Sequence, residues 1–230
     1  MVRRTIRRAA AVLCALFALA AGPGAQAAGG SAREAEAAPV LSEAAEQALL
    51  ERLEQLHAST RTFQAAFEEA RHLPSLPAPL RFEGRVYYHR DGLFFMEYVE
   101  PFPYILRVHR GEALIYIEGS GTADVSRLSE AEGLEQADVF AWDPSRFEGT
   151  VRAAPGGYRL VPSTQGPPGP GFSILLDRET LLMKEVCIFG EGGDRTELVF
   201  SDVRVNDPLP ERVTDFRLPP GVERHRLDLP

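Results

Sequence analysis

The chain has 230 residues, of which 44% are hydrophobic and 25% charged, and a formal net charge of -8. That apolar content supports a packed core and excludes disorder over most of the length. The acidic balance, with Lys184 the only lysine and the arginines dispersed, excludes a basic nucleic-acid-binding surface, so no nucleic acid is expected as a partner.

The first residues read as an address. Arg3, Arg4, Arg7 and Arg8 precede an apolar run from Ala9 to Ala21. Gly22-Pro23-Gly24 breaks the run, and Ala25-Gln26-Ala27 offers a small-x-small cleavage site. This is the grammar of a secretory signal peptide over residues 1–27, and the run is short for a bilayer span. Cys14 follows Leu13 rather than the small residue that lipid attachment requires. Removing 1–27 takes away four arginines and no acids, so the net charge moves from -8 to -12. Cys187 is then the only cysteine, which excludes an internal disulfide and fits a buried small hydrophobe. Residues 28–40 are small, polar and acidic, and read as a disordered leader to a single domain over 41–230.

Leu41, Ala45, Leu49, Leu53 and Leu56 recur at helical spacing, so a helix is predicted from Leu41 to Ala58 with Ser42 as N-cap. The next segment is ambiguous. Phe63 and Phe67 continue the helical stripe, but Phe63, Ala65 and Phe67 also alternate as in a strand. Pro74, Pro77 and Pro79 end either element. From Phe82 to Ile117 the pattern is strand, turn, strand: Phe82–Tyr88, the Asp91-Gly92 hairpin turn, Leu93–Val99, Tyr104–Val108, Arg110-Gly111, then Ala113–Ile117. Leu128 to Trp142 reads as an amphipathic helix. Strands are predicted again at Gly149–Arg152, Tyr158–Val161, Phe172–Leu176, Leu181–Phe189 and Thr196–Val205.

Chemical motifs are sparse. His57, His72, His89, His109 and His225 form no helical two-histidine pair, and one cysteine leaves no zinc ligand set. The glycine-proline run from Gly166 to Gly171 lacks the Lys-Ser/Thr of a phosphate-binding loop, and no Gly-x-Ser-x-Gly elbow occurs. No metal, cofactor or catalytic residue is expected. The unusual feature is Leu93–Val99, where Leu93, Phe95 and Val99 share one face and Phe94, Met96 and Tyr98 the other. Half-solvated sheets show one polar face, so either both faces are covered or one lines an apolar cavity.

Several pieces in order resemble the outer-membrane lipoprotein carrier protein (LolA) family. They are Phe63 and Phe67; the aromatic strand from Gly84 to His89; Arg90 spaced from Phe94; Glu100-Pro101; Arg110-Gly111; Leu175-Leu176-Asp177; Phe200-Ser201-Asp202-Val203 with Asn206; and Phe216-Arg217-Leu218-Pro219-Pro220-Gly221-Val222. The resemblance runs from about Leu49 to Val222. It implies a mainly β fold, an open, strongly curved antiparallel sheet or incomplete barrel, with helices covering the concave face as a lid. It places the segment after Thr60 in the sheet. It implies a monomeric, periplasmic, non-enzymatic carrier that takes acyl chains of lipoproteins from an inner-membrane ABC transporter to an outer-membrane acceptor. Arg90 matches the residue that latches the lid, and Phe94 matches a cavity aromatic. Phe63, Phe67, Val86, Tyr88, Phe95, Met96, Tyr98 and Leu106 are further cavity candidates. Two departures stand out: Asp91-Gly92 follows the arginine where the family has proline, so an acid sits beside Arg90, and Met96 replaces the common tryptophan. The stretch from Phe67 to Leu73, followed by Pro77-Ala78-Pro79-Leu80, resembles a divergent branch serving other lipids. A carrier or sensor of another amphiphile, a glycolipid or precursor lipid, is therefore the alternative.

Overall fold

A computed structural model describes residues 39–127, 144–163 and 171–226. Helix α1 spans Glu43–Ser59. Strands follow at β1 Thr62–His72, β2 Leu80–His89, β3 Leu93–Glu100, β4 Tyr104–His109, β5 Glu112–Ile117, β6 Thr122–Arg127, β7 Gly149–Ala154, β8 Gly157–Pro162, β9 Gly171–Asp177, β10 Met183–Phe189 and β11 Arg195–Val205. A four-residue helix, α2 at Glu211–Thr214, and β12 at Glu223–Arg226 complete the chain. All twelve strands form one sheet in the order β12-β6-β5-β4-β3-β2-β1-β11-β10-β9-β8-β7. The end strands β12 and β7 do not meet, so the sheet is open and curved rather than a closed barrel. Neighbours are antiparallel except β12, which runs parallel to β6. The signal peptide, most of the leader, the predicted helix at Leu128–Trp142 and most of the Gly166–Gly171 run lie outside the described residues.

The segment after Thr60 is a strand. Phe63, Ala65 and Phe67 point to one face of β1 and are buried, while Glu68 beside them is exposed. The side-chain alternation therefore prevails over the four-residue phenylalanine spacing. Opposite Phe67 stands Gly84 of β2. A Cβ on Gly84 would lie 2.2 Å from the Glu97 carbonyl and 2.8 Å from the Phe67 ring. The ring takes the place of the missing side chain, which is why this strand starts its aromatic run on glycine.

Both faces of the central strands are covered. Leu49 and Leu53 of α1 share a core with Phe63, Phe67, Val86, Phe94, Met96 and Tyr98, which identifies the concave face. Residues 207–222, including α2, strap the other face. There Val213, Leu209 and Phe216 pack on Tyr87, Leu93 and Phe95, and Phe216, Leu218 and Val222 pack on Leu114, Tyr116 and Val125. Arg212 pins the strap by donating to the Tyr87 hydroxyl at 2.8 Å and to Glu97 at 2.9 Å.

Among the described residues α1 covers the concave face, with the short turn Pro144–Arg146 against it and Phe147 packed on the same core. It begins at the β7 edge, where Leu41 donates to the Val151 carbonyl at 3.0 Å. It ends beside the β2–β3 turn. Its 17 residues span about 25 Å at 1.5 Å each. The five strand spacings from β7 to β1 amount to about 24 Å. The helix thus bridges the C-terminal half of the sheet from edge to centre.

Candidate functional site

The concave face collects the predicted cavity residues with one exception. Phe63, Phe67, Val86, Phe94, Met96 and Tyr98 are buried together, and Tyr88 and Leu106 pack against them half-buried. Phe95 does not belong. It lies on the opposite face, its ring 5.4 Å from Phe216 and 6.1 Å from Tyr87. Successive strand residues face opposite ways, so the neighbour of Phe94 must turn from the concave side. The expectation that Phe95 lines the cavity is corrected on this ground. Leu93 shares the strap cluster with it.

Helix α1 ends with its carbonyls fully engaged. The last turn of a helix leaves four carbonyls without intrahelical partners. The Leu56 carbonyl accepts from the Thr60 hydroxyl at 2.7 Å and the Thr60 N–H at 2.9 Å. Arg90 donates from Nη1 to the Ala58 carbonyl at 3.0 Å and from Nη2 to the His57 carbonyl. Asn206 Nδ2 donates to the Ser59 carbonyl at 3.1 Å, and its Oδ1 accepts from the Arg61 N–H at 2.7 Å. Asn206 adopts φ +63°, a left-handed conformation that asparagine tolerates better than most residues. The Arg90 cation also faces the negative end of the helix dipole. Asp91 does not displace this arrangement: its carboxylate lies 3.6 Å from Nδ1 of His89. At the other end Ser42 occupies the predicted N-cap position, but its hydroxyl makes no capping bond.

Sequence reasoning missed a polar cluster in this apolar surface. Beyond Phe67 the same face of β1 continues with Glu69 and Arg71, their side chains 2% and 13% exposed. They form an ion pair through Arg71 Nε. The Tyr98 hydroxyl donates to Glu69 Oε2 at 2.7 Å, and Arg71 Nη2 donates to the Tyr104 hydroxyl at 3.3 Å. The guanidinium stands 4.7 Å over the Phe82 ring. Tyr98 and Tyr104 stack at 3.9 Å, and the Phe67 and Phe82 rings meet Tyr98 edge-on at 5.0 and 5.9 Å. Burial pushes the Tyr104 phenol up to about 12 and the Tyr98 phenol well above its usual value. The available signal was the period of two: extending Phe63, Ala65, Phe67 by two steps reaches Glu69 and Arg71.

A cavity of about 680 Å³ runs along α1, lined by Leu41, Glu43, Glu46, Gln47, Leu50, Glu51 and Glu54. It is acidic, and two of its lining residues, Leu41 and Leu50, pack half-buried against the concave-face core. Among the described residues no group of histidine, cysteine or carboxylate side chains could hold a metal ion, and no helix is long and apolar enough to cross a membrane.

No family model matches the chain, and no curated protein matches it. Solved structures do. An uncharacterized conserved protein from Thermus thermophilus is similar at a TM-score of 0.50 and 15% identity, covering 80% of this chain and 99% of that one. A LolA superfamily protein from Nitrosomonas europaea is similar at a TM-score of 0.39 and 11% identity, over 73% and 96% of the two chains. The lipoprotein LppX from Mycobacterium tuberculosis is similar at 0.40 and 13%, over 74% and 99%. At 15% identity the Thermus protein shares the fold, and only the fold.

Proposed function

We propose that this chain is an extracytoplasmic carrier that shelters the acyl chains of a lipoprotein or other acylated lipid against its concave face. Residues 1–27 would direct its export, an inner-membrane ABC transporter would load it, and an outer-membrane acceptor would unload it. The observation that carries the reading is the concave face itself. Large aromatic and aliphatic side chains line it, and the helix over it is tied down at its C-terminal end by two side chains, Arg90 and Asn206. Such a surface suits a floppy apolar ligand with no fixed shape. Each CH₂ removed from water contributes roughly 0.8 kcal/mol. Several chains would exceed the practical affinity ceiling of about 18 to 21 kcal/mol. Displacing α1 offsets part of that gain. Breaking the Arg90 and Asn206 bonds and exposing Leu49 and Leu53 lowers the net affinity into a range that allows release. In this reading Arg90 is the lid latch. Phe94, with Phe63, Phe67, Val86, Tyr88, Met96, Tyr98 and Leu106, forms the acyl-binding surface.

The test is native mass spectrometry of protein purified from periplasm without detergent, with the cargo extracted and fragmented. A co-purifying acylated peptide or lipoprotein supports the lipoprotein route. A glycolipid or other free lipid keeps the carrier and changes its cargo. Protein that stays empty, even in cells blocked in outer-membrane delivery, refutes the carrier reading.

A further inference from the structure

We propose that Glu69, Arg71, Tyr98 and Tyr104 form a polar subsite for the uncharged, hydroxyl-bearing head group of an acylated lipid, a sugar or polyol. The inference rests on the carrier reading and names the class of lipid.

The placement of the cluster is the first argument. On β1 the apolar residues Phe63, Ala65 and Phe67 lie toward the α1 clasp, and Glu69 and Arg71 lie toward the opposite rim. Phe63 and Glu69 are six residues apart on one strand, about 20 Å at 3.3 Å per residue. The concave face is therefore itself amphiphilic along its strands, apolar at one end and hydrogen-bonding at the other. A surface for acyl chains alone gains nothing from this. A buried ion pair is rarely more stable than well-packed apolar residues of the same size. Its neighbours Phe67, Phe82 and Met96 show that apolar residues are accommodated on every side.

The chemistry of the cluster selects the head group. One carboxylate and one guanidinium sum to zero charge. A phosphate head would meet Glu69, and an ammonium head would meet Arg71, each with a like charge in a poorly solvated site. Hydroxyl groups both donate and accept, so they can bond the carboxylate and the guanidinium at once. Tyr98 and Tyr104 already make those two bonds with phenolic hydroxyls. A sugar or polyol hydroxyl is the same chemical group, so it can join this network and add bonds to it without a change in charge. The Phe82 ring and the stacked tyrosine pair supply flat apolar walls for the C–H faces of such a head. Burial keeps Tyr104 protonated well above neutral pH, so it remains a donor. Access is from the rim, where Arg71 retains 13% exposure and Phe102 is half-buried.

The test is displacement of a bound fluorescent fatty acid from the secreted chain by three lipids with identical acyl chains: diacylglycerol, its monoglucosyl derivative and phosphatidylglycerol. The glucosyl lipid is expected to displace the probe at about tenfold lower concentration than diacylglycerol, the gain of two ordinary hydrogen bonds. Phosphatidylglycerol is expected to show no such gain. Tyr104→Phe and Glu69→Gln, each verified as folded by circular dichroism, should bring the glucosyl-to-diacylglycerol ratio toward one. A wild-type ratio of one, or a preference for phosphatidylglycerol, overturns the subsite and leaves the carrier standing. The wild-type ratio needs no variant to fold. Failure of the chain to bind the fatty acid or any of the lipids overturns both.

Discussion

Arg90 is an exposed residue at the end of β2, yet it holds two carbonyls of a helix that begins at the far edge of the sheet. Bonds from a cation to a carbonyl are stronger than neutral ones, and partial exposure reduces their worth. Replacing Arg90 by Met keeps length and removes both donors. The expected result is local: amide exchange in the last two turns of α1 speeds up by about tenfold, roughly the loss of one or two such bonds. Exchange in β1 and β2 should stay as it was. Hydrogen-exchange mass spectrometry reads this directly. Unchanged exchange in α1 would show that Asn206 and Thr60 hold the helix end without Arg90. The sequence resemblance singled out Arg90, which sits at a fixed place in a recognisable series, but included Asn206 in that series without a role at the helix end. It could not separate Phe94 from Phe95, because both faces of β3 are apolar and alternation alone carries no label for inside.

The strands with aromatic or β-branched alternation were legible as elements. β2 through β5 and β7 through β11 appear where their patterns place them, within two residues at most ends. β6 and β12 were not legible. β6 is the short run Thr-Ala-Asp-Val-Ser-Arg, and β12 is four exposed residues paired in parallel to it. β6 pairs with β5 across a tight turn, and β12 reaches β6 only at the end of the strap, a tertiary feature that local pattern does not encode. The strap also explains why both faces of the central strands read as apolar. Val213 of α2, within the strap, is fully buried against Tyr87, Leu93 and Phe95. Truncating Val213 to Ala removes two methyl groups from this contact and leaves a cavity. The expected cost is about 1–3 kcal/mol of global stability, measured by urea unfolding. Because the strap lies on the face away from α1, acyl-probe affinity in the folded variant should be unchanged. A fall in affinity without a fall in stability would show that the two faces are coupled through the sheet.

The whole molecule keeps protons that its unfolded chain would release. Cys187, buried on β10, has its thiol pushed up to about 11, chiefly by burial and then by the Glu197 carboxylate. The Tyr104 phenol is pushed up to about 12, again chiefly by burial. In the unfolded chain these groups titrate near about 8.5 and 10. Between the unfolded and folded values the unfolded state has lost protons that the folded state still holds. Each raised value therefore supports the fold fully at neutral pH and withdraws that support as pH rises. Stability should decline from about pH 9, first through Cys187 and then through the phenols. The urea midpoint is expected to be lower at about pH 10.5 than at about pH 8, and Cys187→Ala should flatten the first part of that decline while Tyr104→Phe flattens the last. The same burial makes Cys187 inert: a thiol reagent at about pH 8 should label it only at the rate of unfolding. Rapid labelling of the native chain would mean that the sheet opens at β10, on the half that α1 bridges.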